Sequence, residues 1–173
     1  GISAQRFRHP DRDILAVWGL ADPAVVALTW RRDRKPSARD LMGRPIVIGN
    51  AAGQAMLVLP RGELILIETS IGDGWITSAP VRLHGSEGGR PGETIEAQIE
   101  LARNLASVPI SIEVPDGWKA SFDVPSGRTR VCRIGIPEAV GPGVRLIRFR
   151  FGGRDGTLTV PHRLMVHSPV IPL

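Results

Sequence analysis

Tyrosine is absent from this chain of 173 residues, and aromatics of all kinds make up 5% of it, as four Trp and four Phe. Sugar rings and nucleobases are gripped mainly by stacked aromatic faces, so a multi-aromatic platform has little to be built from. Cys132 is the single cysteine, which excludes an intrachain disulfide and any multi-cysteine metal site. Lysine is nearly missing: only Lys35 and Lys119 occur among 22 basic residues, and arginine carries the formal charge of +5. That excess reads either as a compositional bias or as a polyanion-binding surface. No apolar run is long enough to cross a bilayer, and no signal peptide opens the chain. The first residue is Gly1 rather than Met, as expected of a processed or excised piece. No stretch holds a 3.6-residue apolar period over the length of a substantial helix.

What the chain has instead is strand and turn chemistry. Its apolar fraction of 42% permits a buried core, and 20 Gly and 15 Pro are scattered without a triplet repeat. In the first half, "DILAVWGL" (13–20), "AVVALTW" (24–30), "RPIVIG" (44–49), "QAMLVL" (54–59) and "ELILIET" (63–69) read as strands separated by turn residues. In the second half "ETIEAQIEL" (93–101) alternates strictly, with Ile95, Ala97, Ile99 and Leu101 on one face. Five further strands follow at 108–114, 118–124, 128–136, 144–151 and 157–166. The length suits two units of about 80–90 residues. The predicted fold is therefore all-β: two tandem antiparallel β-sandwiches, the second immunoglobulin-like with about six or seven strands. The expected boundary lies near Ala79-Pro80, giving residues 1–79 and 80–173. "VRLHG" then opens the second sandwich and "GSEGGRPG" forms its first loop.

"DLMG" (40–43) lacks the glycines of a phosphate loop and the alternating carboxylates of a calcium loop. It reads as a turn, with Asp40 accepting from amides two residues on, Gly43 at positive φ, and Leu41 facing the core. The order of motifs carries a resemblance. Ala16-Val17-Trp18, then Asp40-Leu41-Met42-Gly43, then Ile65-Leu66-Ile67-Glu68 resembles the C-terminal accessory β-sandwich of multidomain glycoside hydrolases. Pro91-Gly92, Asn104 and Pro115-Asp116-Gly117-Trp118 resemble the immunoglobulin-like domains appended to glycosidases. The resemblance implies a non-catalytic part that braces a catalytic domain of the same polypeptide and helps to shape its cleft, in an extracytoplasmic enzyme acting on polysaccharide.

The remaining chemistry is sparse. Glycoside hydrolysis needs two carboxylates across the scissile bond, and no motif selects a pair from Glu63, Glu68, Asp73, Glu96 and Glu100, so no catalytic residue is assigned. Cys132 sits in an apolar strand as a small buried hydrophobe. His84, His162 and His167 could meet as metal ligands. His162, however, shares the parity of Leu158, Val160, Leu164 and Val166, as a partly buried strand residue does. No metal and no cofactor is expected. Arg128, Arg130, Arg148 and Arg150 are candidate anion contacts, forming one basic stripe if their two strands pair. Phe149 and Phe151 alternate to the opposite face, which argues against nucleic acid. Trp18 and Trp30 are expected in the core and Trp118 over one end of the sandwich. Trp75, in "GDGWIT", is the candidate carbohydrate contact. Against the accessory role stand a carbohydrate- or polyanion-binding module and a free-standing immunoglobulin-type interaction protein.

Overall fold

The structure, a computed structural model, describes residues 2–20, 23–30, 35–70, 75–78, 80–153 and 156–168. In chain order the first half forms β1 (Ile2–His9), β2 (Arg12–Gly19), β3 (Ala24–Thr29), β4 (Ser37–Asp40), β5 (Pro45–Ile46), β6 (Gly49–Ala51), β7 (Gln54–Leu59), β8 (Leu64–Thr69) and β9 (Trp75–Ser78). The second half forms β10 (Val81–Gly85), β11 (Gly88–Gly89), β12 (Thr94–Leu101), β13 (Ile110–Glu113), β14 (Lys119–Phe122), β15 (Thr129–Gly135), β16 (Gly143–Gly153) and β17 (Gly156–Val166). A single 3-10 turn, Arg103–Leu105, is the only helical segment among the described residues.

Four sheets result. Sheet I has the order β1-β2-β8-β4-β5 and sheet II the order β6-β7-β3-β9, and every pairing named in them is antiparallel. Between them Leu15, Val17, Val26, Leu57, Leu59, Ile65 and Ile67 form one buried cluster. Sheet III has the order β10-β12-β15-β14, and sheet IV the order β11-β17-β16-β13. With β10 as strand A and β12 to β17 as B to G, these are the ABED and CFG sheets of an immunoglobulin sandwich. The short β11 adds a parallel pair to β17. The chain is thus all-β, two antiparallel sandwiches in tandem, the second immunoglobulin-like.

The burial patterns explain the sequences. β12 alternates exposed and buried without exception, because one face meets water and the other packs on Phe149, Phe151 and Leu164. β3 is buried at five successive positions, Ala24 to Leu28, because both of its faces are covered. Val26 and Leu28 point toward sheet I, while Val25, together with Met56 and Ala51, belongs to the core cluster of the second sandwich. β6 packs on β16 and β17, and β10 packs on β3. Asn104 Nδ2 donates to Gln54 Oε1 at 3.0 Å across the same junction. The loop end of the immunoglobulin sandwich, with the β12–β13 connection and the start of β17, is therefore seated on the outer face of sheet II.

Several expectations are corrected. "RPIVIG" is not one strand: β5 lies in sheet I and β6 in sheet II, and the chain crosses between sheets at an exposed Val47. β1, β4 and β9 raise the first half well above the five strands expected. β1 is polar enough to escape an apolar pattern because it is an edge strand, paired among the described residues only with β2. "GSEGGRPG" is not wholly a loop, since Gly88–Gly89 pairs with Met165–Val166. Leu41 does not face the core but is 65% exposed.

Candidate functional site

The four candidate arginines do not form one stripe, because β15 and β16 lie in opposite sheets. Arg130 shares the inward face of β15 with Cys132 and Ile134, and its guanidinium folds over the end of the sheet. There it donates to the carbonyls of Gly127 and Thr129, each at 3.0 Å, and to that of Ala106. It holds the β14–β15 turn against the β12–β13 connection. Arg148 and Arg150 stand on the outer face of sheet IV and share one carboxylate: Arg148 Nη1 lies 2.9 Å from Glu113 Oε1, and Arg150 binds Glu113 Oε2. Arg128 is different. Together with Arg82 it lines a cavity of about 470 Å³ on the outer side of sheet III, beside Glu100 and Thr129. Neither guanidinium makes a hydrogen bond or ion pair among the described residues.

Trp75 opens β9 and pairs with Thr29, but its side chain lies outside the described residues. Trp118 is buried in the second core, after the Pro115 to Trp118 turn closed by Trp118 N–H on Pro115 C=O at 3.1 Å. Trp30 is half-buried against the first core. Trp18 departs from expectation. It sits on the outer face of sheet I, half-buried, in register with Ser3 and Leu64.

The carboxylates are dispersed. Glu96 pairs with Arg133 at 3.0 Å, Arg133 also reaches Asp123 at 2.9 Å, and Glu100 lies 3.6 Å from His84. Asp73 lies outside the described residues. The sequence reading missed Asp13, which is fully buried, 3.8 Å from Arg6 and in register with Thr69. Its signal was parity, since it alternates inward with Leu15 and Val17. Among the described residues no three of His, Cys, Asp and Glu are grouped to hold a metal ion. No helix there is long and apolar enough to cross a membrane.

The Asp40 turn is built as its sequence suggests. Asp40 Oδ1 accepts from the backbone N–H of Met42 and of Arg44, both at 2.9 Å, and Oδ2 accepts from Arg44 Nε at 2.6 Å. Gly43 takes a φ of +80°. Desolvation pushes the Asp40 pKa up, but the hydrogen bonds and charge of Arg44, with the amide of Met42, outweigh it and leave the carboxyl below its ordinary value. Burial raises the Cys132 thiol to about 11, and the charge of Asp123 adds to the rise. Such a thiol is no nucleophile at neutral pH.

No family model and no curated protein matches the chain. Among solved structures it is similar to one described as "Anomalous substructure of Titin-A168169", at 14% identity and a TM-score of 0.31, over 91% of this chain and 90% of that one.

Proposed function

We propose that the chain is a non-catalytic accessory segment of a larger glycoside hydrolase, organised as units 1–79 and 80–173, which braces the catalytic domain and helps to shape its substrate cleft. The observation that supports this most is the seal between the halves. Val25, Ala51 and Met56 of the first half share one buried cluster with Leu105, Phe151 and Leu158 of the second. That contact makes a stiff strut rather than two modules on a linker. It also covers the loop end on which immunoglobulin-type binders present their recognition loops. The glycosidase part of the proposal rests on the motif resemblance. The test is deletion of residues 1–173 from the parent polypeptide. The expected result is lost stability of the catalytic domain, while the isolated chain hydrolyses no glycoside. A parent equally stable without the segment refutes the bracing role.

A second reading, polyanion binding, is favoured by the cavity lined by Arg82 and Arg128. It predicts binding to acidic glycans that weakens steeply with salt and is lost in Arg128→Ala. Salt-independent binding to neutral oligosaccharides refutes it and turns attention to Trp75.

A further inference from the structure

We infer that the outer face of sheet I is the docking surface for the domain encoded immediately ahead of this chain. This rests on the proposal above that the chain belongs to a longer polypeptide. β8 reads Leu64-Ile65-Leu66-Ile67, apolar at positions that point to both sides of the sheet. A strand wetted on one face alternates with polar residues, whereas a continuous apolar run marks cover on both. In sheet II the same pattern in β3 is answered by the second sandwich. In sheet I the inner positions Ile65 and Ile67 are buried, yet Leu64 and Leu66 are only half-buried.

The rest of the face agrees. Trp18 stands in register with Leu64. Asp40 pairs with Ile65, so the turn that follows sets Leu41 abreast of Leu64, with Met42 81% exposed beside it. Among these apolar groups stands Arg39, in register with Leu66, its guanidinium without a hydrogen bond or ion pair among the described residues. An apolar surface that must also bring a carboxylate to a guanidinium is a protein surface. The chain path selects which one. Ile2 and Ser3 pair with Gly19 and Trp18, so whatever is joined ahead of β1 leaves from the apolar end of this face. A short tether there raises the effective concentration to about the millimolar range.

The test compares amide exchange in the polypeptide encoded by the whole reading frame with exchange in this chain alone. The expected result is slower exchange in β2, β8 and the 40–43 turn of the longer protein. Met42→Asp and Arg39→Glu, both exposed, should each return that exchange at least halfway to the rate in the isolated chain. Leu146→Asp, on the outer face of sheet IV, should change nothing there. Protection confined to sheets III and IV, or unaffected by Met42→Asp and Arg39→Glu, overturns the inference. So does an isolated chain that dimerises with the same protection, which assigns the face to a second copy, and so does a reading frame with nothing ahead of the chain. A preceding domain that docks on this face but cleaves no glycoside sinks the glycosidase reading and leaves the docking surface standing. An active glycosidase held elsewhere does the reverse.

Discussion

Met56 is the residue through which the two halves can be uncoupled. It lies on β7 in the first half, is fully buried, and packs in the core cluster of the second. Met56→Ala removes three heavy atoms from a site bounded by two sheets of different halves, neither of which can close on the gap without moving the other. Met to Ala changes of this kind cost about 2–5 kcal/mol. For a protein of this size each kcal/mol lowers the melting temperature by about 2–4 °C, so a fall of about 4–20 °C is expected. Size alone does not test the argument, since any core truncation destabilises. The informative readout is native-state amide exchange in the distant core of the second half, at Ile99, Cys132 and Phe149. If the halves share a core, those amides exchange faster in Met56→Ala by the factor equivalent to the whole loss of stability. Unchanged exchange there, with faster exchange confined to β3 and β7, would refute the shared core.

Gly49 tests the same junction by overfilling it: a Cβ there would lie 3.1 Å from the Cα of Leu158 and 3.1 Å from the carbonyl oxygen of Thr157. Gly49→Val should therefore cost about 1–3 kcal/mol, read by urea denaturation, and a neutral substitution would mean that the halves are not in contact. Cys132, with its thiol raised to about 11, should be roughly one part in a thousand thiolate at pH 8 and react with a disulfide reagent only on unfolding. Because its folded pKa lies above the unfolded one, its contribution to stability is fully present below about pH 9 and is lost as the pH rises toward 11. Rapid native labelling at pH 8 would contradict both statements. Asp40 has the opposite sign. Its lowered pKa adds stability that is present above the ordinary value of 3.8 and is lost as the pH falls through the folded value. A carboxyl titration followed by NMR should find its midpoint below 3.8, and a midpoint above it would refute the turn geometry. Arg130→Ala should lower stability by about 1–3 kcal/mol, because carbonyls of Ala106, Gly127 and Thr129 lose a charged donor. It should leave any anion affinity unchanged, and a loss of affinity without a loss of stability would reverse that assignment.

The parts of this fold that alternate cleanly were legible before the structure. β12, β15, β16 and β17 announce their buried faces by period two, and Phe149, Phe151 and His162 point inward as their parity requires. The Asp40 turn was legible because its chemistry is local. What escaped notice depends on neighbours distant in sequence. β1 and β4 are short of apolar residues because a sheet edge and a hairpin need few. β5 and β6 share an apolar run that changes sheet halfway, which no periodicity marks. Arg130 and Arg148 look equivalent in the sequence, yet one is bound by carbonyls and the other by Glu113. Trp18 ends an apolar strand, which points to the core, although its parity with Ile14 and Ala16 sets it opposite Val17. The unbroken apolar runs of β3 and β7 held the most unused information. They mark strands covered on both faces, and that cover is the other half of the chain.

The central claim, that the two sandwiches form one stiff body, is tested most directly by residual dipolar couplings measured on the isolated chain in a single alignment medium. Couplings from β2, β3, β7 and β8 define one alignment tensor, and those from β12, β15, β16 and β17 define another. One common tensor, equal in magnitude and orientation for both sets in the frame of the structure, is the predicted result. Two tensors of different magnitude would show the halves moving independently and would contradict the account.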